Sequence, residues 1–168
     1  GADLWAVAPA CRGVAGIDPL ATIRERAGDR AALGAAAERR IRIREDDTWS
    51  DIFSKVLVEH VEPNLGQGRL TVLFEYPAPE AALARAKSSD PRVAERFEIY
   101  ACGVELANGF GDFTDAAEQR RRFITAMDEK PRRYGDRYPL REEFLPTVPL
   151  DPPSTRLPLP PPDVALPT

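Results

Sequence analysis

Between Arg92 and Thr114 the sequence RVAERFEIYACGVELANGFGDFT sets carboxylates and an amide at spacings that could do chemistry. Two strands joined at Cys102-Gly103 would set Ala101 against Val104, Tyr100 against Glu105 and Glu98 against Ala107. Alternation then puts Glu98, Tyr100 and Glu105 on one face, with Glu98 and Glu105 as diagonal neighbours about 7–8 Å apart. Carboxylates at that separation repel unless water screens them or a cation sits between them. The spacing leaves two readings open. One is a solvated polar sheet face; the other is a Mg²⁺ site, since Mg²⁺ takes one or two carboxylates plus phosphate oxygens.

Asn108 adds a geometric demand. Strict alternation puts it on the face opposite Glu105, so both can line one pocket only if the strand is irregular. Asn-Gly is a strong hairpin-turn signal, but a turn at Asn108-Gly109 would leave strands of only a few residues. A bulge or bend at Asn108-Gly109 is therefore expected, glycine being the residue that permits one. No other residue stands out as a nucleophile or base. The lone His60 falls on an apolar helix face and reads as structural, and Cys102 reads as a small turn residue. Arg120, Arg121 and Arg122 read as a solvated helix face.

The elements that must position these residues fall into three zones. Residues 1–68 read as mainly helical, with DPLATIRERAG and DRAALGAAAERR each opening on an Asp cap. In DDTWSDIFSKVLVEHVEP, Trp49, Ile52, Phe53, Val56, Leu57 and His60 follow a helical period, and Pro63 and Gly66 end it. Residues 69–145 change period: RLTVLFEYPAP reads as a central strand, the two strands above follow, and Asp115 caps a further helix. Residues 146–168 hold nine prolines and no hydrophobic period, and are expected to be extended or disordered.

Composition bounds what these elements can serve. A chain of 168 residues, 43% hydrophobic and 30% charged, with net charge −4, fits a soluble globular domain and disfavours a non-specific grip on nucleic acid. No apolar run is long enough to span a bilayer. The opening GADLWAVAPACRG lacks a basic segment, so no signal peptide is expected. Cys11 and Cys102 are too few for a disulfide framework and read as reduced thiols of a cytoplasmic protein. The absence of an initial Met raises the expectation of a fragment.

The block DPRVAERFEIYACGVELANGFGDFTDAAEQRRRF resembles class II lysyl-tRNA synthetases, and it and the preceding VEPNLGQGRLTVLFEYPAPEAALAR both resemble a paralogue family of those enzymes. These paralogues are the short GenX/PoxA-type elongation factor P lysine ligases, to which the resemblance is closer and runs from about Asp47 to Leu145. The resemblance implies an α+β fold: part of a class II synthetase core, an antiparallel sheet flanked by helices, with a helical N-terminal segment. It implies ATP-dependent activation of lysine or β-lysine as an adenylate, and transfer to a lysine side chain of elongation factor P. By resemblance Glu98 and Glu105 hold Mg²⁺, and Glu105 and the backbone of Leu106 meet ATP. Asn108 contacts the amino acid, Phe110 shapes its pocket, and Asp112 stands where the family has a Glu for the lysine ammonium.

That chemistry is positioning and charge neutralisation, so no catalytic acid, base or nucleophile is assigned. The sequence departs from the family pattern. It contains no Phe-Arg-x-Glu of the second synthetase motif and, after Gly135, no glycine for the third. The expectation is a chain that is inactive alone. A homodimer is left to a full-length protein, and tRNA to the alternative of a lysyl-tRNA synthetase fragment. A third reading is a non-catalytic paralogue that binds a cationic ligand or a partner protein.

Overall fold

Asp3–Ala6 form a strand, β1, at a place where helix is expected. The computed structural model describes residues 1–24, 26–80 and 84–111, all within the compact unit Gly1–Gly111. Helix α1 (Val7–Ala15) follows β1 directly and closes on Gly16. Asp18 does act as a cap, accepting from the Leu20 amide at 3.0 Å, but it starts only the 3₁₀ turn Pro19–Thr22. The expected helix over DPLATIRERAG is instead that turn and a small antiparallel hairpin, β2 (Ile23–Arg24) and β3 (Ala27–Gly28). The β-branched pair Thr22-Ile23 resists continuation of the helix. Helix α2 (Arg30–Ala37) begins as expected, with the Asp29 carboxylate accepting from the Ala32 amide.

Helix α3 (Trp49–Val56) opens on a capping box, Thr48 with Asp51. Its stripe Trp49, Ile52, Phe53 and Val56 is buried, and the Trp49 and Phe53 rings stack with centroids 5.3 Å apart. The segment then passes into a π turn, Leu57–Val61, and a 3₁₀ turn, Glu62–Asn64. A π turn shifts the helical phase. His60 is only half-buried, and its Nε2 meets the Arg40 carbonyl at 3.2 Å.

Strand β4 (Thr71–Pro77) is central, as its apolar sequence requires. It pairs in parallel with β1 and antiparallel with β6 (Asp90–Ala101). Strands β5 (Ala86–Lys87) and β7 (Val104–Phe110) share the other side of β6, each along part of its length. The sheet is therefore mixed where an antiparallel one is expected, the parallel pair being β1 with β4. Residues from the helices and the sheet, among them Val7, Leu33, Phe53, Leu73 and Tyr100, form one continuous core. No described helix is long and apolar enough to cross a membrane. Asp112, the helix expected from Asp115, the arginines 120–122 and the Pro-rich tail lie outside the described residues.

Candidate functional site

The hairpin turns where expected. Cys102 and Gly103 both have positive φ, 53° and 74°, the geometry of a two-residue turn whose twist matches its strands. It is seated on the preceding turn, because Cys102 N–H donates to the Gly66 carbonyl and Gly103 N–H to that of Leu65, both at 2.8 Å. Gly66 is required there. Its φ is 71°, and a Cβ would lie 2.5 Å from the Ala101 Cα. This docking brings Glu62 beside the hairpin, where its Oε1 meets the Tyr100 hydroxyl at 3.4 Å.

The register differs from a regular hairpin in one respect. Ala101 pairs with Val104 and Tyr100 with Glu105, as alternation requires, but Ile99 pairs with Ala107 and Glu98 with Asn108. The extra residue is Leu106. The bulge thus lies two residues before the Asn108-Gly109 expected for it, and Glu98 faces Asn108 instead of Ala107. A bulge inserts one unpaired residue and re-aims the side chains beyond it. Glu98, Glu105, Asn108 and Phe110 consequently share one face of the sheet, and Asn108 Nδ2 donates to Glu105 Oε1 at 2.9 Å. Leu106 is the bulged, exposed residue.

A second bulge serves the same face from the other side. The register of β4 shifts between Phe74 and Tyr76, with Glu75 at φ 61°. Tyr76 is thereby turned onto the face of Leu73, and its hydroxyl reaches Glu98 Oε2. The Tyr100 hydroxyl donates to the same oxygen at 2.6 Å, while Arg96 Nη2 donates to Oε1 at 2.6 Å. Arg96 also donates to the Glu80 carbonyl at 2.6 Å and lies over the Tyr76 ring, 4.6 Å from its centroid. Burial, and then the adjacent Glu98 carboxylate, push both tyrosine hydroxyls well above their usual range, so they remain donors. Burial, followed by the charges of Glu98 and Glu105, also raises Glu62, against the lowering effect of the Tyr100 hydrogen bond.

These contacts decide what the two glutamates can hold. Glu98 is 5% exposed and both its oxygens are engaged. A metal ion would have to displace a guanidinium or two hydroxyls, so this arrangement does not fit ligation by Glu98. Glu105 is exposed, and its Oε2 takes no hydrogen bond among the described residues. Of the two expected ligands, Glu105 alone fits a cation. Among the described residues there is no group of three or more His, Cys, Asp or Glu side chains that could hold a metal ion.

Reading the sequence overlooked Tyr76, Arg96 and Glu62 as neighbours of this site. Arg96 was within reach, since it stands two residues before Glu98 on one strand and therefore on its face. Tyr76 depends on a register irregularity beside Glu75, a non-glycine residue at positive φ, and Glu62 on the docking of a distant hairpin. Neither leaves a local signature.

An α+β core with a curled mixed sheet, carrying carboxylates and an amide on one face, is compatible with part of an aminoacyl-tRNA-synthetase-like core. Comparison of the sequence with known proteins gives a narrower result. No protein-family model matches the chain. It is 41% identical over 133 residues to the elongation factor P–(R)-β-lysine ligase of Pectobacterium atrosepticum, covering 77% of this chain and 39% of that protein. The enzyme of the same name from Haemophilus ducreyi is 42% identical over 138 residues, 81% of this chain and 37% of the relative. That of Histophilus somni is 45% identical over 112 residues, 64% and 32% respectively. Over the matched residues the chain is similar to proteins named as elongation factor P–(R)-β-lysine ligases. It spans well under half the length of these curated relatives.

Proposed function

We propose that this sequence serves an ATP-dependent ligase that activates (R)-β-lysine as its adenylate and passes it to a lysine side chain of elongation factor P. The observation that carries this reading is the Glu105–Asn108 pair beside Glu98. A carboxylate can only accept hydrogen bonds, so Glu105 fixes the Asn108 amide with its nitrogen towards Glu105. The Asn108 carbonyl oxygen is then left to accept from a substrate ammonium. Glu62, Glu98 and Glu105 give the surroundings a negative potential that suits a diamino acid. The names of the relatives favour the β-amino acid and the acceptor protein over tRNA.

In this reading the substrate carboxylate attacks the α-phosphorus of ATP, pyrophosphate leaves, and an acceptor amine then displaces AMP from the mixed anhydride. The protein's share is alignment and charge neutralisation. Glu105 is the residue that would hold Mg²⁺, which supplies neutralisation of phosphate charge when bound. Glu98 organises the face behind it through Arg96, Tyr76 and Tyr100. Phe110 lies on the same face and borders the amino acid, and the exposed bulge backbone at Leu106 is open to the nucleotide. Asp112 would meet the distal ammonium, one methylene short of a Glu. The setting we propose is the cytoplasm.

We further propose that the 168 residues do not complete the reaction alone, because neither phosphate-gripping arginine motif of the synthetase family occurs in them. Calorimetric titration with (R)-β-lysine, alongside ATP–pyrophosphate exchange, tests both statements. The expected result is binding without exchange. Absence of binding to both (R)-β-lysine and lysine sinks the substrate assignment, and robust exchange sinks the claim of inactivity.

A further inference from the structure

The loop between α2 and α3 carries Arg39, Arg40, Arg42 and Arg44, all exposed. Its backbone is held firmly from beneath. Ile41 is buried in the core and Ile43 packs against it. Arg30 donates to the carbonyls of Arg44 and Glu45 at 3.1 Å and of Asp47 at 2.9 Å. Lys55 donates to the Arg42 carbonyl at 3.3 Å, and His60 meets that of Arg40. The Asp47 carboxylate accepts from the Arg44 amide at 2.7 Å. Inward isoleucines alternate with outward arginines, so the fold fixes where these cations are displayed.

The arginines themselves have no partner among the described residues. Every other described Arg or Lys is engaged: eight in ion pairs with carboxylates, Arg30 with carbonyls, and Arg26 as well. The chain has more acidic than basic residues, 27 against 23, so this run is not a shortage of carboxylates. The flanking Glu38, Glu45 and Asp46 are exposed yet make no ion pair with it. Four like charges along one short loop, without an ion pair among the described residues, repel each other.

We propose that this arginine loop is a docking surface for an acidic patch on the acceptor protein. The inference rests on the ligase reading above. A protein partner fits better than nucleic acid. The net charge of −4 and the acids flanking the loop would repel a continuous phosphate backbone, whereas arginine is enriched in protein interfaces and pairs with discrete carboxylates. The loop is also tied to the candidate site. The π turn whose His60 meets the Arg40 carbonyl runs directly into the 3₁₀ turn that opens on Glu62, against Tyr100.

The test is the dissociation constant of the full chain for elongation factor P at about 50 mM and about 300 mM salt. The parent is compared with R39Q/R40Q/R42Q/R44Q, and with R69Q/R92Q, which removes arginines that are already paired. The expected result is about 10–100-fold weaker binding by the quadruple variant at low salt, with a flatter salt dependence. The paired-arginine variant stays within about twofold, and all three show the same circular dichroism. Parent-like affinity of the quadruple variant overturns this inference alone, whereas no binding by the parent overturns the acceptor reading with it. Loss of affinity for a short RNA duplex but not for elongation factor P reassigns the loop to nucleic acid and also overturns the inference.

Discussion

Glu98 and Asn108 stand directly opposite one another on β6 and β7, although an unbroken hairpin from the Cys102-Gly103 turn would seat Ala107 there. The single inserted residue, Leu106, accounts for the difference. Without it, the Glu105 and Asn108 side chains, three positions apart, would project from opposite faces. With it, both join Glu98, and the buried carboxylate lies beside an exposed carboxylate–amide pair on the same face.

Glu98 is expected to be the stability centre of this face. The Glu98 side chain is 6% exposed and that of Arg96 27%, and removing one partner of a buried pair leaves the other charge uncompensated. Glu98→Gln should lower the unfolding free energy by about 3 kcal/mol. Combining it with Arg96→Met should cost less than the sum of the single changes. Urea unfolding of the parent, both single variants and the double variant checks this; strict additivity would deny the coupling.

Glu62 should make the protein more stable in mild acid than at neutrality. Its carboxyl is raised from 4.5 in the folded state, chiefly by burial. The native state therefore holds that proton more tightly than the unfolded chain, and stability falls as pH rises from about 4.5 through the folded value, then levels off. Glu62→Gln keeps an acceptor for Tyr100 and removes the charge. Its melting temperature should exceed the parent's at pH 7, and the gap should close below about pH 4.5. A gap that persists unchanged in acid would contradict this.

Gly66 is expected to tolerate no side chain. At φ 71°, with the position of a Cβ 2.5 Å from backbone, Gly66→Ala must push the 101–103 turn away from Leu65 and Gly66. The cost should be about 2 kcal/mol or more. Because the same docking positions Glu62 against Tyr100, amide exchange of Cys102 and Gly103 should accelerate in the variant. Unaltered exchange there would show that the contact is not what holds the hairpin.

Much of this arrangement was legible in the sequence, and the unread parts share a cause. Asp29, the Trp49–Val56 stripe and the Cys102-Gly103 turn act through neighbours in the chain, and each formed as its residues require. The demand that Glu105 and Asn108 share a face could be read as a demand for a bulge. Its position at Leu106 could not, because no residue there has an unusual backbone preference. Strand β1 escaped notice since DLWA gains its ladder only from Thr71–Phe74, far along the chain. Glu75 adopts positive φ without being Gly, Asn or Asp, a strain that surrounding structure imposes and local sequence does not announce.

The two cysteines should differ sharply in reactivity. Burial raises the Cys11 thiol to about 12, while Cys102 is exposed at the hairpin turn, and both are free. A thiolate-specific reagent at neutral pH should label Cys102 in the native chain, and Cys11 only on unfolding. Rapid labelling of both without denaturant would show that α1 does not stay packed.

The site assignment itself is tested by separating Glu105 from Glu98. If the Glu105–Asn108 pair receives the substrate ammonium, Asn108→Ala and Glu105→Gln should each weaken (R)-β-lysine binding about 10-fold or more, the scale of a hydrogen bond to a charged group. Their effect on stability should be small, because both side chains are exposed. Tyr76→Phe should show the reverse, a loss of stability of about 1.5–3 kcal/mol from a hydrogen bond to buried Glu98, with affinity within a few-fold of the parent. Calorimetric titration and urea unfolding on the same preparations give both axes. The assignment fails if Asn108→Ala and Glu105→Gln bind as the parent does. It also fails if their affinity falls only in proportion to lost stability, since they would then be supporting the hairpin instead of meeting the ligand.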